Sequence, residues 1–271
     1  MLVSARSAVG WVGPDPALPG GGRVCIRPAG RMLTRIGLRA ILVSARRMPL
    51  LQRGMLAFIV LLAAQAPAFP VEQDAVLPGL VDVTTKIADA RIELKYASAD
   101  NFMKRDVYGG LKRCFLVEDA ARMLADARAV LRQRAPELTF VMYDCARPRR
   151  VQLVMWDVVK GTKEQGYVAN PHKPPGSIHN LGCAVDMSLW DSSANAPVDM
   201  GTPYDFFGKA AEPRHEVELW QSGALTSAQL ANRLLLREVM LRAGFRMLGH
   251  EWWHFDCAIS SEARKKYQVI E

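Results

Sequence analysis

No apolar run in this chain is long enough to cross a bilayer: the strongest, 55–64, holds ten residues, against the ~20 a spanning helix needs. No C-x-x-C pair occurs, so a thiolate zinc site has no support. A phosphate-binding glycine loop, a dinucleotide fingerprint and a nucleophile elbow are likewise missing. Net positive charge is lacking where it would matter. Of 35 basic and 27 acidic residues, nine Arg and the lone acid Asp15 lie in 1–68, which leaves 26 of each sign in 69–271. The formal +8 therefore belongs to the first quarter of the chain, and no nucleic-acid partner is expected.

What is present begins with a leader. Arg46, Arg47 and Arg53 precede the apolar run, and two overlapping A-x-A patterns follow at 64–66 and 66–68. A basic region, a short apolar region and a small-residue exit describe a secretory signal peptide over 48–68. No Cys follows the apolar run closely enough for a lipid anchor, so no stable membrane span is expected after cleavage. Export across the inner membrane, to the periplasm, is the expected destination. Residues 1–47, rich in Gly, Pro and Arg, read as a disordered extension or the product of too early a start codon, with Met48 or Met55 as a sensible start. Residues 69–271 have the length of one domain with a sizeable core.

Four of the five cysteines, Cys114, Cys145, Cys183 and Cys257, lie in that domain. They permit two disulfides in an oxidising compartment, with three connectivities, or free buried thiols.

Alternation at Ile92, Leu94 and Tyr96 predicts a strand over 91–96. A helix is expected over 117–134, with Val117, Leu124, Ala127 and Leu131 near one stripe and Pro136 beyond its end. A buried strand at 138–143 leads to Pro148, which fits the first turn of a helix to about Lys160. A loop with three prolines covers 163–176, a strand 183–189, and an irregular excursion 191–213. Thr226 and Gln229 form a capping box for a helix that stops at Gly244. Two closing strands are expected at 245–248 and 252–257. The pattern indicates α+β: a single domain with a small, mostly antiparallel central sheet flanked by helices, its metal site on the sheet.

Two segments carry the chemistry: Ser177-Ile-His-Asn-Leu-Gly-Cys-Ala-Val-Asp186 and Glu251-Trp-Trp-His-Phe255. They supply His179, Asp186 and His254, a three-ligand N/O set that leaves a fourth position open, as in a catalytic zinc site. Glu251 is a spare carboxylate able to take a proton from bound water. The odd spacing of His179 and Asp186 would put them on opposite strand faces. The Asn180-Leu-Gly182 turn must therefore redirect His179, a task suited to glycine. Taken singly, His179 reads as a solvated loop residue and Asp186 as a hydrogen-bonded one; together with the second segment they read as ligands. Asp186 lies among apolar neighbours, an expensive place for a carboxylate unless it is paired or metal-bound. His254 alternates with Trp252 on one strand face, with Glu251 at the strand's beginning. His172, His215 and His250 remain unassigned, and His215-Glu-Val-Glu-Leu219 lacks the second His of H-E-x-x-H.

The S-x-H-x-x-G-x-A-x-D and E-W-W-H patterns resemble those of the D-alanyl-D-alanine dipeptidases, relatives of D,D-carboxypeptidases and of the hedgehog signalling domain. Lys95-Tyr-Ala-Ser-Ala-Asp-Asn-Phe102, Asp144-Cys-Ala-Arg-Pro148 and Met200-Gly-Thr-Pro-Tyr-Asp-Phe206 extend the likeness over roughly 90–257. Cys145 and Cys183 stand where other residues are common. The resemblance implies one Zn²⁺ held by His179, Asp186 and His254, with Glu251 as general base. It implies that Arg147 stabilises the oxyanion, that Tyr96 and Asp205 receive the substrate's amino group, and that Ser177 contacts its carboxylate. The implied substrate is the free dipeptide D-Ala-D-Ala, in cell-wall turnover or D-alanine salvage. The alternatives are a D,D-carboxypeptidase or endopeptidase acting on peptidoglycan stems, and a zinc-bearing binding domain without turnover.

Overall fold

Hydrophobic spacing and a few turn residues account for most of the elements. The computed structural model describes residues 79–174 and 176–271, so the expected leader and signal peptide lie outside the described residues. In chain order the elements are β1 (Val81–Asp82), β2 (Arg91–Ile92), β3 (Phe115–Leu116), α1 (Glu118–Arg134), β4 (Leu138–Asp144) and α2 (Arg149–Val159). There follow β5 (Ala184–Asp191), β6 (Ala196–Pro197), α3 (Glu216–Gln221), α4 (Ser227–Arg242), β7 (Arg246–Met247), β8 (His254–Asp256) and α5 (Ser260–Lys266).

The main sheet runs β2-β4-β5-β8-β7, with β6 on one end of β5. Among the described residues only β2 and β4 pair in parallel; the other pairs are antiparallel. A separate antiparallel ladder joins β1 to β3. This is the α+β domain with a small, mostly antiparallel sheet that the sequence predicts. Among the described residues, no helix is long and apolar enough to cross a membrane.

Helix α1 buries Ala120, Ala121, Leu124, Ala127 and Leu131, one stripe at three- and four-residue spacing, against α4 and β4. Helix α4 opens on the expected capping box. Gln229 donates its amide to the Thr226 hydroxyl at 3.2 Å and accepts from the Thr226 amide at 2.9 Å. Pro148 caps α2 from just outside rather than within its first turn.

Three further expectations change. The strand at 91–96 ends after Ile92, because the chain turns at Lys95–Ala97 to bury Tyr96. The carbonyl of Tyr96 there accepts the amides of Val107 and Tyr108. The last strand begins at His254 and not at Trp252, whose amide donates to Ala211 at 3.1 Å. Finally, the loop 163–176 opens with a short helical turn, Lys163–Tyr167.

The irregular excursion after β5 is fastened to the helices. Arg233, buried on α4, donates to the carbonyls of Met200 and Ala210, while Trp252 Nε1 donates to Thr202 Oγ1 at 2.8 Å. The cysteines pair as Cys114–Cys145 and Cys183–Cys257. The second bridge ties the start of β5 to the end of β8.

Candidate active site

The sheet register sets three charged groups abreast: Asp144 of β4 faces Asp186 of β5, which faces His254 of β8. His179 reaches them from the turn Ile178–Leu181. Gly182 ends that turn at φ 66°, the left-handed geometry that sends the next residues into β5 and lets His179 and Asp186 converge. The odd-spacing problem is thus solved by the turn.

His179 Nε2 lies 3.2 Å from Asp186 Oδ1 and 3.2 Å from His254 Nδ1, while His254 Nδ1 lies 2.9 Å from Asp186 Oδ1. The opposite ring nitrogens are engaged. His179 Nδ1 donates to the Cys145 carbonyl at 2.7 Å, and His254 Nε2 donates to Asp256 Oδ1 at 2.9 Å. In those tautomers, once the inner nitrogens carry no proton, two imidazole lone pairs and a carboxylate oxygen meet at one point. Three donors about 2.0–2.1 Å from a tetrahedral zinc stand about 3.3 Å apart, close to the separations found here. The donor set therefore fits a divalent metal.

Electrostatics agree. Burial works against the charge on Asp186, but the two imidazoles outweigh it and hold the carboxyl well below its ordinary range. Burial likewise opposes charge on His254, yet Asp256 and Asp186 outweigh it and raise the imidazole well above its ordinary value. A strongly negative field at this point holds a proton tightly, and a cation can take its place.

Around these three side chains the other expected residues gather. Tyr96, Arg147, Ser177, His179, Asp186, Asp205, Glu251 and His254 all line one cavity of about 380 Å³. Glu251 Oε2 is 3.8 Å from His254 Nδ1, and burial pushes this carboxyl up to about 7. Arg147 is buried, held by Asp144 through Nε at 2.8 Å and again through Nη2, and by Gln152 Oε1 at 2.7 Å. Its Nη2 lies 3.7 Å from Asp186 Oδ2. Tyr96 donates to Asp205 Oδ1 at 3.0 Å, and burial drives Asp205 up to about 8 despite that bond.

Of the unassigned histidines, His250 lines the cavity, 3.7 Å from Glu251 Oε1, whereas His215 pairs with Glu212 and Glu218 elsewhere. Sequence reasoning missed the supporting shell. Tyr204 donates to Asp186 Oδ2 at 2.9 Å, Tyr108 donates to Asp144, and Asp256 anchors His254. Asp256 was detectable, since alternate strand residues share a face; Tyr204 sits inside the 200–206 motif.

Two imidazoles and a carboxylate around one point that could hold a metal ion, with a Glu and a buried Arg lining the same cavity, are the arrangement expected of a single-metal hydrolase. The chain belongs to the D-Ala-D-Ala dipeptidase family of metallopeptidases, whose model matches residues 77–270. It is similar to the D-alanyl-D-alanine dipeptidase of Escherichia coli, 33% identical over 177 residues covering 65% of this chain and 83% of that protein. The Enterococcus faecium protein of the same name is 26% identical over 179 residues, covering 61% and 84%. That of Streptomyces coelicolor is 26% identical over 187 residues, covering 62% and 86%.

Proposed function

We propose that this protein hydrolyses free D-Ala-D-Ala to two molecules of D-alanine with one bound Zn²⁺, after export to the periplasm, in cell-wall turnover or D-alanine salvage. His179, Asp186 and His254 would hold the zinc, which when bound supplies Lewis acidity and a more acidic water. Glu251, poised near neutrality by burial, takes a proton from the attacking water and delivers it to the leaving amine. Arg147, fixed by Asp144 and Gln152, offers a preorganised positive charge to the carbonyl oxygen as negative charge develops there. Asp205 and Tyr96 receive the dipeptide's ammonium, and Ser177 its carboxylate.

One observation carries the dipeptide over a polymer stem. The segments 163–176 and 191–215 meet at a wall of the cavity: Tyr167 stacks on Phe207 at 5.0 Å and 11°, and its hydroxyl donates to Glu212 at 3.1 Å. Walls joined in this way favour a small substrate recognised at both ends. The two disulfides suit an oxidising compartment and agree with a signal peptide at 48–68 preceding a catalytic domain at 69–271.

The test is D-alanine release from D-Ala-D-Ala by the purified protein, stripped with chelator and then given Zn²⁺. Loss on stripping and recovery with zinc supports the reading; undiminished activity in metal-free protein contradicts it.

A further inference from the structure

The cavity differs in charge from wall to wall. One wall holds Asp205, whose Oδ2 is buried without a hydrogen-bond partner among the described residues. Another wall, Gly176 and Ser177, backs onto an adjoining pocket lined by Arg149, His172, Lys173 and Arg264, and by no acidic side chain among the described residues. A zwitterionic dipeptide fits this polarity with its ammonium at Asp205 and its carboxylate at Ser177.

Helix α5 contributes to that second wall. Ser260, its first residue, lines the cavity, and its Oγ is buried with no hydrogen-bond partner among the described residues. Arg264 follows four residues on, on the same helix face. Its Nη2 stands 3.5 Å from the point a β-carbon on Gly176 would occupy. A buried hydroxyl without a partner is unfavourable, and a turn of the Ser260 side chain that brings its Oγ to an acceptor in the cavity removes the penalty.

We propose that Ser260 is a further substrate-binding residue, its hydroxyl donating a hydrogen bond to the dipeptide's C-terminal carboxylate beside Ser177, with Arg264 supplying positive potential from behind. The inference rests on the dipeptidase reading. Ser177 alone would leave the carboxylate with one neutral donor; the second hydroxyl makes the site selective for a free carboxylate over a chain that continues or is capped. A hydrogen bond to a charged acceptor is roughly twice as strong as one between neutral groups, so the contribution of Ser260 depends on the ligand's charge.

Calorimetry on the full chain with Zn²⁺ bound and Glu251→Ala in place reads this without turnover. The ligands are D-Ala-D-Ala and D-alanyl-D-alaninamide, and zinc content is measured for each protein. Adding Ser260→Ala weakens D-Ala-D-Ala more than tenfold and the amide less than threefold, while adding Ser260→Thr, which keeps the hydroxyl, stays within threefold for both. No loss for the acid, or an equal loss for acid and amide, overturns the role of Ser260 and leaves the dipeptidase reading intact. Failure of the Glu251→Ala protein itself to bind D-Ala-D-Ala defeats both.

Discussion

Asp256 Oδ1 accepts from His254 Nε2 at 2.9 Å, and the two residues share one face of β8. The bond holds the proton of a neutral imidazole on Nε2, which leaves the Nδ1 lone pair to face Asp186 and His179 when that nitrogen is unprotonated. Carboxylates in this position raise the basicity of a ligating imidazole and lock its orientation. Asp256→Ala is expected to weaken zinc binding by about 10–100-fold, measured by competition with a chelator. Unchanged affinity would mean that the bond is incidental.

Glu251 stands beside the point where His179, Asp186 and His254 converge and is not one of those three. Glu251→Ala should keep a full complement of zinc yet lower kcat by roughly 10²–10⁴-fold, the range for a positioned general base. Metal content by elemental analysis and D-alanine release together check this. Loss of zinc from the variant would recast Glu251 as a ligand.

Arg147 and Asp144 are both buried and hold each other. Arg147→Lys keeps the charge but loses the planar fork, and kcat should fall by about 10²–10³-fold, as for removal of an oxyanion donor. Arg147→Ala leaves Asp144 buried without its charged partner and should cost about 3–5 kcal/mol of stability, read from urea melts.

Asp205 gives a pH dependence. Its folded value, about 8, lies above the ordinary 3.8 because of burial. A raised carboxyl favours the protonated fold, so its contribution to stability is fullest below about 4 and is lost as pH rises through about 8. An ammonium beside it favours the ionised form. Dipeptide binding near pH 7 should therefore release a proton and weaken as pH falls, which calorimetry in buffers of different ionisation enthalpy detects. Asp205→Asn should raise the Tm of the ligand-free protein at pH 8 and weaken the dipeptide.

The parts of the site that were legible in the sequence are those with local causes. Gly182 is needed wherever a His must share a point with an Asp seven residues on, and the capping box at Thr226 and Gln229 is written in two side chains. The apolar runs of β4 and β5 announce the centre of the sheet. Other features depend on distant partners. Tyr96 leaves its expected strand because it buries its ring and binds Asp205, more than a hundred residues later. Trp252 falls outside β8 because Ala211 takes its amide. The pairing of Cys114 with Cys145 and of Cys183 with Cys257 is fixed by which strand ends the fold brings together, and α3 and α5 are too short to show a periodic stripe.

The most direct measurement compares D-alanine release from D-Ala-D-Ala and from a stem pentapeptide ending in the same two residues, by the zinc-loaded protein under one set of conditions. Hydrolysis of the free dipeptide with no release from the pentapeptide is the predicted result. Release from the pentapeptide alone would make the protein a carboxypeptidase, and would contradict the claim that the walls joined at Tyr167 and Phe207 enclose a site for a substrate with both ends free.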